Sequence, residues 1–181
     1  MKLAAKALRV SQPTQTDLKK IKRRDIYIIC DNVLDTYNIG SIFRLADAVA
    51  AKKVYLCGQT ETPPNHRIAK ASVGTDKWVP WEYASTAASA IEKLRSEVDP
   101  RVKPEGQPRL KAIAIEQAKG SRDFRKADYG EPVVFVVGNE TEGVSKEVLA
   151  MADEIVEIPM FGVNRSLNVM VSLAIVLYRA I

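Results

Sequence analysis

The chain has 181 residues, 46% of them hydrophobic and 27% charged, which excludes a disordered or fibrous protein and fits one domain that buries its own core. Two cysteines without CxxC spacing and a single histidine, His66, argue against a zinc hydrolase or a Cys-His nucleophile, so no metal is expected. The net charge of +5 favours a polyanionic partner.

Residues 1–24 read as a short basic extension ahead of a domain of residues 25–181. The apolar stretches of the extension are too short for a signal-peptide core. No run in the chain approaches the roughly 20 apolar residues that span a bilayer. A cytoplasmic protein with no membrane partner is the expectation. Lys19, Lys20, Lys22, Arg23 and Arg24 fall close together, and such a cluster is either a solvated face or a contact to nucleic-acid phosphates.

Residues 26–30 then read as a first strand. The spacing of Ile42, Phe43, Ala46 and Val49 predicts a helix over 39–51, followed by a strand over 54–57. Cys30 and Cys57 each end an apolar run and are expected to be buried, reduced thiols. Residues 60–65 read as a loop. Residues 67–83 carry no simple period, because Trp78, Pro80 and Trp81 interrupt it. Ile91, Leu94 and Val98 predict a helix over 87–98, and the prolines of 99–108 predict a loop. Strands are expected over 110–115, 133–137 and 155–158, with helices over 145–152 and 166–180. Continuous apolar strands alternating with helices imply an α/β fold, a mainly parallel sheet with helices on both faces.

In such a sheet, ligands bind beyond the carboxyl ends of the strands. Three segments there carry unusual residues. The first, Asp31 to Arg44 (DNVLDTYNIGSIFR), runs from a strand into a helix. Asn38 and Gly40 are expected to flank the helix start, where free amides attract anions. Arg44 lies in an apolar stretch and needs a partner: a ligand, or Asp35 or Asp47. The second, Gly138 to Gly143 (GNETEG), turns sharply after an apolar strand; it is neither a dinucleotide fingerprint nor a phosphate loop. The third, Ile158 to Val171 (IPMFGVNRSLNVMV), leads into an almost wholly apolar helix, with Ser166 as its expected N-cap and Asn168 in the first turn.

Together the three segments resemble, in wording and order, the motifs of the SpoU (TrmH) family of the SPOUT superfamily of RNA methyltransferases. The matching residues are N-x-G-x-x-x-R in Asn38 to Arg44, GNE-x-x-G in Gly138 to Gly143, and IPM…SLNV in Ile158 to Val169. The likeness runs from about Ile26 to the C-terminus. It implies a deep C-terminal trefoil knot, S-adenosyl-L-methionine as cofactor, a homodimer, and methylation of a ribose 2′-hydroxyl in tRNA or, next, rRNA. By matching, Gly138, Ile158 and Leu167 line the cofactor pocket, with Ile115, Asn139, Gly143 and Met160 as further contacts. Arg44, Asn38, Glu140, Asn168 and Ser166 form the reaction centre. Arg44 matches an arginine proposed as general base in the family, but a guanidinium keeps its proton and has no acceptor lone pair. Its expected role is to clamp a phosphate and stabilise the developing alkoxide. Arg44, Arg165, Lys22, Arg23 and Arg24 are the candidate RNA contacts. The chain departs from the family at Met170, where a small polar residue is usual. A non-catalytic RNA-binding or assembly factor on the same scaffold, and a base-methylating SPOUT relative, are the alternatives.

Overall fold

The computed structural model describes residues 2–98 and 109–181; the expected loop over 99–108 lies outside them. Seven strands form one sheet in the order β3-β2-β1-β6-β4-β7-β5, and every neighbouring pair is parallel. They are β1 (Arg24–Asp31), β2 (Ala51–Cys57), β3 (Trp81–Ala84), β4 (Lys111–Ile115), β5 (Arg122–Asp123), β6 (Val133–Gly138) and β7 (Glu154–Glu157). The apolar runs of β1 and β6 are continuous because both faces are covered. Ile26, Ile28 and Phe135 pack with Phe43 of α3 (Thr36–Ala48), Ile68 of α4 (His66–Ser72) and Leu173 and Val176 of α7 (Val169–Ala180). Tyr27, Ile29 and Val134 pack on the other face with Ile91 and Leu94 of α5 (Ala87–Glu97) and Val148 of α6 (Lys146–Met151). Cys30 and Cys57 are buried and unbridged, as expected. Burial raises both thiols, that of Cys57 to about 12. No helix among the described residues is long and apolar enough to cross a membrane.

Strand order is what assembles the site. Asp31 at the end of β1 pairs in register with Gly138 at the end of β6. Ile115 at the end of β4 pairs with Val156 of β7. The loops leaving these strands therefore share one edge of the sheet.

Several boundaries differ from the sequence expectation. α3 begins at Thr36, so Asn38 and Gly40 lie within it and do not flank its start. Its first amides are taken by carboxylates, since Asp35 accepts from Tyr37 N at 2.8 Å. α7 begins at Val169 and its N-cap is Asn168, which corrects the assignment of that role to Ser166. The unassigned stretch 67–83 holds α4, a tight turn and the edge strand β3. There Val73 and Gly74 take positive φ, a break that periodicity does not reveal.

The extension of residues 1–24 contains α1 (Ala5–Val10) and α2 (Gln15–Lys20) and docks on that break. Trp78 Nε1 donates to Ser11 Oγ at 2.7 Å. The Leu8 carbonyl lies 2.5 Å from where a Cβ on Gly74 would stand. Arg23 donates to the carbonyls of Ala51 (2.9 Å) and Trp78 (2.5 Å). Arg24 pairs with Glu131 at 2.5 Å. Arg23 thus fastens the extension to the domain and Arg24 ties the start of β1 to Glu131, while Lys22 of the same trio is exposed.

Gly40 is the contact point of α3 with α4: a Cβ there would lie 2.6 Å from Ala71 Cβ and 2.7 Å from the Ile68 carbonyl. Gly40→Ala is predicted to destabilise the fold by about 1–3 kcal/mol in urea unfolding. An unchanged midpoint would contradict this packing.

Candidate active site

The Glu140 carboxylate is the junction of the site. Its oxygens accept from Leu34 N (3.1 Å), Asp35 N (3.0 Å) and Asn38 Nδ2 (2.9 Å). Burial pushes its pKa up, but the donors from Asn38, Leu34 and Asp35 outweigh that and hold it below the ordinary glutamate value. Asn38 is 5% exposed. Its remaining oxygen accepts from Asn168 Nδ2 at 2.9 Å. Asn168 Oδ1 in turn caps α7, accepting from Met170 N (2.9 Å) and Val171 N (3.4 Å). One chain of hydrogen bonds thus joins all three segments that the sequence singled out.

Around it the two later segments fold into a cavity of about 460 Å³. The Gly138–Gly143 turn is closed by paired backbone bonds between Asn139 and Gly143 at 3.0 and 2.9 Å. Asn139 Oδ1 accepts from Thr141 N and Glu142 N, and its amide donates to the Asn32 carbonyl. Glycine is obligatory at 138, where a Cβ would lie 2.2 Å from the Gly143 carbonyl carbon. All seven expected cofactor contacts, Gly138, Ile158, Leu167, Ile115, Asn139, Gly143 and Met160, line this cavity. Glu140, Asn168, Ser166 and Arg165 line it too. Ser166 is held in the loop by its own neighbour, its amide donating to Asn164 Oδ1 at 3.2 Å.

Arg44 is absent from the cavity wall. It projects from α3 into solvent and makes no hydrogen bond or ion pair to any described residue. Neither alternative carboxylate holds it: Asp35 caps α3, and Asp47 interacts with Arg23.

Sequence reasoning missed three groups that shape the cavity. Asp31, 2% exposed, accepts from Ser145 N at 2.9 Å and anchors the exit of the second loop. Glu116 accepts from Val144 N at 2.9 Å, and Gln117 Nε2 donates to the Arg165 carbonyl at 2.7 Å. Both follow Ile115, the last residue of β4, and their position after a parallel strand was the available signal.

The SpoU rRNA Methylase family model matches residues 25–178, and the chain belongs to that family. Over 161 residues it is 34% identical to the tRNA (guanosine(18)-2′-O)-methyltransferase of Aquifex aeolicus (strain VF5), covering 88% of this chain and 70% of that protein. The crystal structure of the A. aeolicus TrmH/SpoU tRNA modifying enzyme superposes with a TM-score of 0.71 at 33% identity, over 97% of this chain and 80% of that one. The SpoU methyltransferase AviRb from Streptomyces viridochromogenes, in complex with AdoMet, gives a TM-score of 0.75 at 26% identity, over 91% and 63%. The chain spans from 64% to 77% of the length of the curated relatives that share the first of these names.

Because the folded-state pKa of Glu140 is depressed, its stabilising contribution is complete above the ordinary value of 4.5 and is lost as pH falls through the lowered one. Melting temperatures measured from about pH 6 to about pH 3 should therefore fall less steeply in Glu140→Gln than in the parent. Identical slopes would show that this carboxylate does not carry the linkage.

Proposed function

We propose that this chain is an S-adenosyl-L-methionine-dependent methyltransferase that methylates a ribose 2′-hydroxyl of structured RNA, tRNA in preference to rRNA. The observation that carries the reading is the Asn38–Glu140–Asn168 hydrogen-bond chain, which sets the helix of a free Arg44 against a cavity of cofactor size. The cavity volume of about 460 Å³ falls in the range of small-molecule sites. Its wall suits the cofactor: Ile115, Val137, Ile158 and Leu167 offer apolar surface to an adenine, and the backbone of the Gly138 turn offers donors and acceptors. Bound there, the cofactor supplies an electrophilic methyl group on a sulfonium.

The residues divide the remaining work. Asn139 and Gly143 keep the second loop closed under the ligand, while Ile158, Met160 and Leu167 cover it. Asn38 and Glu140 fix α3 relative to the cavity, and Asn168 fixes the third loop to the same point. Arg44 grips the phosphate next to the target ribose and stabilises the negative charge that grows on the 2′-oxygen. It does not take the hydroxyl proton, because a guanidinium has no lone pair to accept one. Arg165 and Lys22, both exposed, are further RNA contacts in this reading.

A homodimer is part of the proposal. Leu34, Tyr37, Phe161, Val163 and Tyr178 are about half exposed or more, on the elements that border the site. A second copy covering them removes that apolar surface from water and brings a second Arg44 face to the RNA. Residues 1–24 serve as an extension to the methyltransferase domain of 25–181, working in the cytoplasm, where RNA and cofactor meet. The family's trefoil knot belongs to the same reading. It is supported by the position of β6 between β1 and β4, although β6 follows both in sequence.

Arg44→Ala is expected to lower methyl transfer from labelled cofactor to unmodified RNA by about 10²–10³-fold. Cofactor binding by calorimetry should stay at the parental affinity, because Arg44 lies off the cavity wall. Transfer at the parental rate would remove Arg44 from the reaction centre, and binding of cofactor and RNA with no transfer by the parent protein would point to an assembly factor.

A further inference from the structure

The segment between β7 and α7 forms one side of the cavity and has no regular structure of its own. Among the described residues, the only backbone atom of 158–167 hydrogen-bonded to another element is the Arg165 carbonyl, which receives Gln117 Nε2 at 2.7 Å. Within the single chain nothing covers its outer side, where Phe161 is 91% and Val163 102% exposed. At its far end Asn168 holds it to Asn38. Ile158 packs on the core at the start of the segment, so among the described residues Gln117 supplies the one hydrogen bond that holds its middle to another element.

Its neighbour explains why that tether is well placed. Glu116 accepts from Gln117 N at 2.8 Å with one oxygen and from Val144 N at 2.9 Å with the other. Its carboxylate also occupies the space beside Gly143, where a Cβ would lie 2.2 Å from Glu116 Oε2. The two residues after β4 therefore brace both walls: Glu116 the second loop, Gln117 the third. Both line the cavity.

We infer that Gln117 is a positioning residue that straps the third loop over the cofactor and sets how long the cofactor stays bound. The inference rests on the methyltransferase reading of the cavity. A loop tethered at one interior point opens more often once that point is released, and local opening of this kind governs ligand escape. Gln117 donates to the backbone of the loop at Arg165, so its proposed action is on cofactor retention and not on the chemical step.

The test uses the full chain, unmodified RNA and labelled S-adenosyl-L-methionine, with Gln117→Leu and Gln117→Met. Both substitutions remove the donor, and they differ in shape. Each should raise the KM for cofactor about fivefold to tenfold and speed its dissociation by a similar factor. The KM for RNA, kcat at saturating cofactor and the melting temperature should stay at parental values, because Gln117 is an exposed side chain. A parental cofactor KM and off-rate in either variant would overturn the inference, as would a fall in kcat with the cofactor KM unchanged. If the parent protein itself fails to bind the cofactor, the methyltransferase reading falls first and the strap with it.

Discussion

Almost everything at the functional edge of the sheet depends on how one carboxylate is satisfied. Glu140 draws in two amides of the loop after β1 and the side chain of Asn38. Partly desolvated, it is costly to leave without donors, and three of them hold it in its charged form. Asn38, buried and with both ends of its amide committed, transmits that fixed position to Asn168. Asn168 then decides where the last helix begins. A single polar chain therefore registers three segments that are far apart in sequence. Gly138 makes it possible, because any side chain there would collide with the turn that presents Glu140.

The same economy of donors and acceptors sorts the arginines. Arg23 is matched to carbonyls of the domain and helps dock the N-terminal extension, and Arg24, at the start of β1, is matched to Glu131. Arg44 has no such match among the described residues. Composition cannot make that distinction, since it depends on which acceptors the fold brings within reach.

The layers and the parallel sheet were legible from the alternation of apolar runs with helical spacing, as in Ile26 to Cys30 followed by Ile42, Phe43 and Ala46. The cavity residues were legible because the three segments carry a family's wording. Other features needed the third dimension. Ser166 looked the better cap, yet Asn168 took the role because its amide could also reach Asn38. β3 is a four-residue edge strand directly after Pro80, and β5 is a two-residue edge strand with no apolar residue. Glu116 and Gln117 look like ordinary surface residues until two distant loops are folded onto them.

The most direct test of the whole account is chemical. Unmodified tRNA and rRNA are incubated with the protein and methyl-labelled S-adenosyl-L-methionine, digested to nucleosides and analysed by mass spectrometry. Label is expected on the ribose of a tRNA nucleoside. Label on a base, or none despite a bound cofactor, would contradict it.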